Sequence, residues 1–176
     1  ERESTARLES ERRLVHSVDG IVAATHHERQ LLRQVFRVSP GQVSVVPLGV
    51  DLNQFQPRDQ AAARIELGRP KEEKLLLAVG RIEPLKGFDI LIRALAEMTH
   101  TEQVTLVVIG GDEQAASEFS RLRSVADEVG VSDRVEFPGA IHHERLAGYY
   151  NAADVVVIPS FYESFGLVAL EAMASG

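Results

Sequence analysis

The chain of 176 residues has no cysteine, so neither a disulfide framework nor a thiolate-bound metal can hold it together. That absence fits a reducing compartment, and a cytoplasmic location is the expectation. An excess of positive charge is also missing. The formal net charge is −7, which argues against a general affinity for nucleic acid, because counterion release needs clustered Lys and Arg. A small phosphate ligand needs only one or two cations. No apolar run approaches the length of a membrane span, and the charged opening Glu1-Arg2-Glu3-Ser4-Thr5 is no signal peptide. The chain reads as soluble, and nothing in it indicates association with a membrane surface. No Gly-x-Gly-x-x-Gly fingerprint follows any strand pattern and no Walker phosphate loop is present, which disfavours a conventional NAD or FAD site. No cofactor is expected. Asp-x-Asp, a pair that could hold a metal against a diphosphate, is absent as well.

What is present is enough for one well-buried domain, or one domain and a piece of another. The first residue is not Met, and Gly176 closes a helix pattern still rich in apolar side chains, so a fragment is expected. The opening pattern predicts a helix over 5–15, a short strand over 18–24 and a second helix capped by Thr25. Glu28, three residues on, completes the Ser/Thr-x-x-Glu signature. A strand over 43–46 precedes Pro47–Pro57, a stretch with proline at both ends and glycine inside that reads as an ordered linker. Beyond it strands and helices alternate. Strands are predicted at 74–79, 104–109, 134–137 and 154–158, and helices at 60–67, 88–98, 114–129, 144–150 and 166–174. Strands apolar on both faces indicate a parallel sheet covered on both sides, hence a doubly wound α/β domain. Ligands of such sheets bind at the carboxyl ends of the strands, so the loops at Gly80, Gly110 and Ser160 should gather around one crevice.

The residues expected there carry chemistry. Glu171 is a carboxylate in a helix whose positions three and four back are Val168 and Leu167, and an ionised group left unpaired among apolar neighbours is costly. Taken alone it could reach past small alanines to water. Glu163, eight positions earlier in the loop before the helix, favours a pair kept for a ligand's hydroxyl groups. In Gly80–Gly87, glycine lets the backbone come close to a ligand, and Arg81 and Lys86 bracket the turn. A guanidinium fork and a mobile ammonium together suit a diphosphate, although either could be a solvated loop cation. At the start of the last helix, the N–H groups of Gly166, Leu167 and Val168 are orphan donors for a phosphate or sugar hydroxyl, unless Ser164 caps them. Paired histidines at 26–27 and 142–143 have no carboxylate or cysteine at ligand spacing beside them. They are expected to be exposed and to hold no metal.

The run from Gly80 to Asp89, together with the two-glutamate segment 159–176, resembles the donor half of a retaining GT-B glycosyltransferase. The chain is most similar to the large group 1, GT4-type family that includes sucrose-phosphate synthases and the mycothiol-pathway N-acetylglucosaminyl transferase. Pro47–Asp51 and Phe55–Pro57 resemble that family's interdomain connection. The resemblance implies a GT-B architecture in which 1–46 is the tail of an acceptor-side Rossmann-like domain, 47–57 the linker and 58–176 a truncated donor-binding Rossmann-like domain. By the same resemblance Gly80, Arg81 and Lys86 would meet the diphosphate, and Glu163 the transferred sugar. Glu171 would take the two ribose hydroxyls, Phe165 and Gly166 sugar hydroxyls, and Leu167 and Val168 a phosphate. Gly139–Ile141 would border the base. The implied partners are a nucleotide-sugar donor, UDP-linked by family frequency, and an unknown acceptor such as a sugar, sugar phosphate or lipid-linked group. Transfer would be metal-independent and retaining, with the catalytic histidine in the missing domain. The rival expectations are a non-catalytic nucleotide-sugar-binding module, or another GT-B enzyme such as an epimerase or phosphorylase.

Overall fold

A computed structural model describes residues 5–98 and 104–176, in two compact units, Glu1–Gly49 and Val50–Gly176. In the first, α1 (Thr5–Ser17) leads to β1 (Ile21–Ala23), and α2 (His26–Phe36) to β2 (Val43–Val45). The two strands are parallel, Ile21 opposite Val43 and Ala23 opposite Val45. Thr25 caps α2 as its sequence predicts: its hydroxyl accepts from the Glu28 N–H at 3.0 Å, while Glu28 Oε2 accepts from the Ala24 N–H at 2.7 Å.

The second unit holds β3 (Lys74–Val79), β4 (Val104–Ile109), β5 (Val135–Gly139) and β6 (Val155–Val156), in the order β5-β4-β3-β6 and parallel throughout. Its helices are α3 (Gln60–Glu66), α4 (Phe88–Glu97), α5 (Ala116–Glu128), α6 (His143–Ala152) and α7 (Leu167–Ala174). Successive side chains of a strand point to opposite faces, and both faces here are apolar. Ala78, Leu106 and Val108 join a core with Ile92 and Leu95 of α4 and Leu122 of α5. Leu75, Leu77, Val107 and Ile109 join another with Phe55, Ala63 of α3, and Leu146 and Tyr150 of α6. Helices on both faces of a parallel sheet make the doubly wound α/β arrangement. Among the described residues no helix is long and apolar enough to cross a membrane.

The predicted buried strand over 154–158 requires correction. Only Val155–Val156 form ladder positions, and Val155 is half exposed. Among the described residues β6 pairs with β3 alone, through Asp154 N–H to Leu75 O at 2.9 Å and Val157 N–H to Leu77 O at 2.8 Å, and its other edge has no ladder partner.

That edge is pinned by charge. Arg64 is buried on α3 and donates to Ala152 O at 3.0 Å, to Lys71 O at 2.7 Å and to Asp154 Oδ2 at 2.7 Å. Asp154 Oδ2 also accepts from the Leu75 N–H at 2.7 Å. Burial alone would raise the Asp154 carboxyl, but the Leu75 N–H and the Arg64 guanidinium outweigh it and hold it below the usual carboxylate range. Removing one partner leaves a buried charge uncompensated, so Asp154→Asn should lower stability by about 2–4 kcal/mol at pH 7. A carboxyl depressed in the folded state contributes stability above its unfolded value of about 3.9 and loses it as pH falls through the folded value. The gap between wild type and Asp154→Asn in urea unfolding should therefore be constant down to about pH 4 and narrow below it. A gap that widens in acid would contradict the pairing.

Candidate functional site

The carboxyl ends of β3, β4 and β5 run into Gly80, Gly110 and Gly139, and the ladder continues across them. The Gly80 N–H donates to Ile109 O at 2.9 Å, and the Gly110 N–H to Gly139 O at 3.0 Å. Gly110 has φ 142°, and a Cβ there would lie 1.8 Å from Gly80 O, so the two loops come together only because no side chain separates them. An open hollow of about 210 Å³ sits on this rim, lined by Gly80, Gly110, Gly111, Ala140, Ile141 and Leu146. Ala140 and Ile141 thus border the hollow from the segment singled out in the sequence. A second hollow of about 440 Å³ is lined by Arg81, Glu83, Asp112 and Gln114.

The loop after β3 is folded against the loop after β6. Gly87 takes φ 65°, and a Cβ there would fall 2.4 Å from Pro159 O. Leu85 O accepts the Phe161 N–H at 3.0 Å. This apposition brings Lys86 to Glu163: Nζ donates to Oε1 at 2.6 Å, and the Ser160 hydroxyl donates to the same oxygen at 2.7 Å. The Lys86 side chain is only 15% exposed, whereas that of Arg81 is 79% exposed and lies 3.0 Å from Glu83 Oε1. Burial alone would raise the Glu163 carboxyl. Donation from Lys86 and Ser160, and the charges of Lys86 and Arg81, outweigh that and hold it below the usual carboxylate range.

Gly166 precedes α7 with φ 87°, and no side chain caps the helix. Ser164 therefore does not do so, and the first N–H groups of α7 keep the electropositive character of an open helix start. Phe165 is half-buried, Leu167 exposed, and Val168 packs against the core beneath.

One turn further along α7, Glu171 is 8% exposed. Both oxygens are met from α6: the Tyr150 hydroxyl donates to Oε2 at 2.8 Å, and His143 Nε2 lies 2.8 Å from Oε1. The expected exposure of His143 holds, its side chain being 60% exposed, yet it contacts a carboxylate that sequence spacing did not bring to it. The available signal was its spacing from Tyr150, seven residues and so two turns along one helix face. Of the residues singled out in the sequence, Gly80, Lys86 and Glu163 are assembled around the strand ends. Arg81, largely exposed, lines both hollows there, and Glu171 is held by α6. Among the described residues, no three His, Asp or Glu side chains are grouped to hold a metal ion.

Two family profiles match: "Glycosyl transferases group 1" over residues 59–176 and "Glycosyltransferase Family 4" over residues 2–54. The D-inositol 3-phosphate glycosyltransferase 2 of Catenulispora acidiphila is 42% identical, over 99% of this chain and 42% of its own length. The D-inositol 3-phosphate glycosyltransferase of Streptosporangium roseum is 44% identical, over 99% of this chain and 41% of its own. The chain thus spans about two fifths of the length of these relatives. Among solved structures, sucrose-phosphate synthase from Thermosynechococcus elongatus matches with TM-score 0.88 and 37% identity, over 99% of this chain and 43% of that one. Anabaena HepE in complex with UDP-glucose matches with TM-score 0.84 and 25% identity, over 98% of this chain and 47% of that one.

The contact between Lys86 and Glu163 makes the carboxyl a reporter of the ammonium. Followed by carboxyl-carbon NMR, Glu163 should titrate below the ordinary Glu value of about 4.3 and move upward in Lys86→Met. An unmoved titration would show that the pair does not persist in solution.

Proposed function

This chain belongs to the group 1 glycosyl transferases, and on that premise we propose that Val50–Gly176 forms the donor side of an enzyme transferring a hexosyl group. The group passes from a nucleoside-diphosphate sugar to an acceptor hydroxyl, with retention of anomeric configuration and without a metal ion. The α/β unit has the Rossmann-like fold of GT-B glycosyltransferases. The observation that carries the proposal is Lys86, fastened by Glu163, whose same oxygen also accepts from Ser160, where the loops after β3 and β6 meet.

The chemistry follows from charge. When the bond between the sugar and the diphosphate breaks, negative charge grows on the leaving oxygen, and preorganised donors lower that barrier. The Lys86 ammonium has three N–H donors, of which Glu163 takes one, leaving two for diphosphate oxygens. Arg81 is tied to Glu83 at the surface, a pair of the kind worth about 1 kcal/mol or less, so its guanidinium can turn to a phosphate at little cost. The uncapped N–H groups of Leu167 and Val168 add neutral donors. Glu163, held ionised, is an acceptor for sugar hydroxyls and not an acid for the departing group. Gly80, Phe165 and Gly166 supply backbone beside the donor, and Glu171 accepts the ribose hydroxyls. The HepE complex with UDP-glucose supports a UDP-linked donor. Relatives named for D-inositol 3-phosphate support a phosphorylated polyol as acceptor.

In the full-length protein, UDP release from UDP-glucose with D-inositol 3-phosphate as acceptor should survive EDTA. Lys86→Met should lower kcat by about 10²–10³-fold with its circular dichroism unchanged. Proton NMR of the product should show the donor's anomeric configuration. The chain Glu1–Gly176 alone should bind UDP weakly and not turn over. Turnover by this piece would refute its assignment as the donor side only.

A further inference from the structure

Glu171 lies among apolar side chains, Val168 and Ala172 of its own helix packing into the core beside it, yet among the described residues neither Lys nor Arg meets it, and an imidazole does. Its partners are a buried phenol and a ring whose hydrogen position can be deduced. Gln54 Nε2 lies 2.9 Å from His143 O and 3.3 Å from His143 Nδ1. A carbonyl oxygen only accepts, so the Gln54 atom facing it is the amide nitrogen, and its second hydrogen points to Nδ1. Nδ1 is then the acceptor, and the ring hydrogen sits on Nε2, aimed at Glu171 Oε1. Phe55 packs edge-on to both rings, 5.1 Å from His143 and 5.8 Å from Tyr150 between centroids, and fixes their planes.

A carboxylate offers about four lone-pair sites on two oxygens. One on each oxygen is taken by a donor from α6, leaving one on each, the pattern that two adjacent hydroxyls of a ribose satisfy. We propose that Tyr150 and His143 are positioning residues that hold the Glu171 carboxylate for a ribose diol, with Gln54 selecting the imidazole tautomer. The proposal rests on the assignment of Glu171 as ribose ligand given above. Burial, and then the bond to Glu171 and its charge, push the Tyr150 hydroxyl up, so that it stays a proton donor at every working pH. A carboxylate held by two donors on one side cannot swing among rotamers, and a ligand pays less to order it.

The test is calorimetry on the full-length protein with whichever of UDP, ADP and GDP binds wild type, each compared with its 2′-deoxy counterpart. Wild type should prefer the ribonucleotide. Tyr150→Phe and His143→Ala should each bind the ribonucleotide about tenfold more weakly and the deoxynucleotide almost as wild type does. His143→Gln, which restores an N–H donor, should recover most of the loss. Equal losses for both nucleotides, with a lowered Tm, would mean that the cluster is structural only, and overturn the proposal. Glu171→Ala separates the two ideas. If it leaves the preference for ribose intact, or if none of the three nucleotides binds wild type, the ribose assignment fails and the positioning role falls with it. If it abolishes the preference while Tyr150→Phe and His143→Ala keep theirs, the positioning role alone is wrong.

Discussion

Strand β3 is hydrogen-bonded along both edges, to β4 and β6, and its side chains are buried on both faces. That double confinement settles where its carboxyl end emerges, and with it the positions of Gly80, Arg81 and Lys86. A strand with one free edge or one wet face could slip in register; a shift of one residue here would turn Leu75 and Leu77 into the opposite core and break both ladders. The loop can come close to its neighbours because its glycines permit it. Gly110 lies against the backbone of Gly80 and Gly87 against that of Pro159, so backbone approaches backbone at both ends of the loop that carries Arg81 and Lys86. The cations are therefore placed by the sheet, and the loop sequence only supplies them.

Much of this was legible in the sequence. β3 and β4 have the bounds that their sequence predicts, because a strand buried on both faces is marked by a nearly continuous apolar run. The Thr25 and Glu28 cap was legible for a different reason, since both partners lie within one turn and need no tertiary information. β6 was not. Its run Val155–Ile158 resembles that of β4, but whether such a strand lies inside a sheet or at its edge depends on how many neighbours it has, which its own residues do not encode. At Ser164 the sequence left two readings, a capped helix start and orphan donors. A serine two residues before a helix is a plausible cap, but Gly166 at φ 87° turns the chain into α7 with no side-chain cap.

The side-chain pairs at the site were out of reach because they are long in sequence. Lys86 and Glu163 stand 77 residues apart, and His143 and Glu171 stand 28 apart. Sequence chemistry singled out Glu171 as an acid among apolar neighbours and Glu163 by its place eight residues earlier, without showing what either contacts. The structure gives its acids different partners. Asp154 faces a buried guanidinium and is neutralised within the scaffold. Glu163 faces an ammonium and so shares its charge with the group proposed to bind phosphate.

Glu171 faces a phenol and an imidazole, and Gln54 meets that imidazole from its other side. A phenol and an imidazole N–H orient a carboxylate by single hydrogen bonds, whereas an arginine or lysine would pair it with a fixed charge and leave it a weaker acceptor. An acid meant only to stabilise the fold gains from a cation, as Asp154 does. One that must attract neutral hydroxyls keeps more of its acceptor strength if its protein partners are neutral. In the proposed reading the two glutamates eight residues apart divide their work by the kind of partner each meets. Glu163 is set beside the Lys86 ammonium where the loops after β3 and β6 join. Glu171 is set among the apolar side chains beneath α7, where two donors from α6 fix it in place.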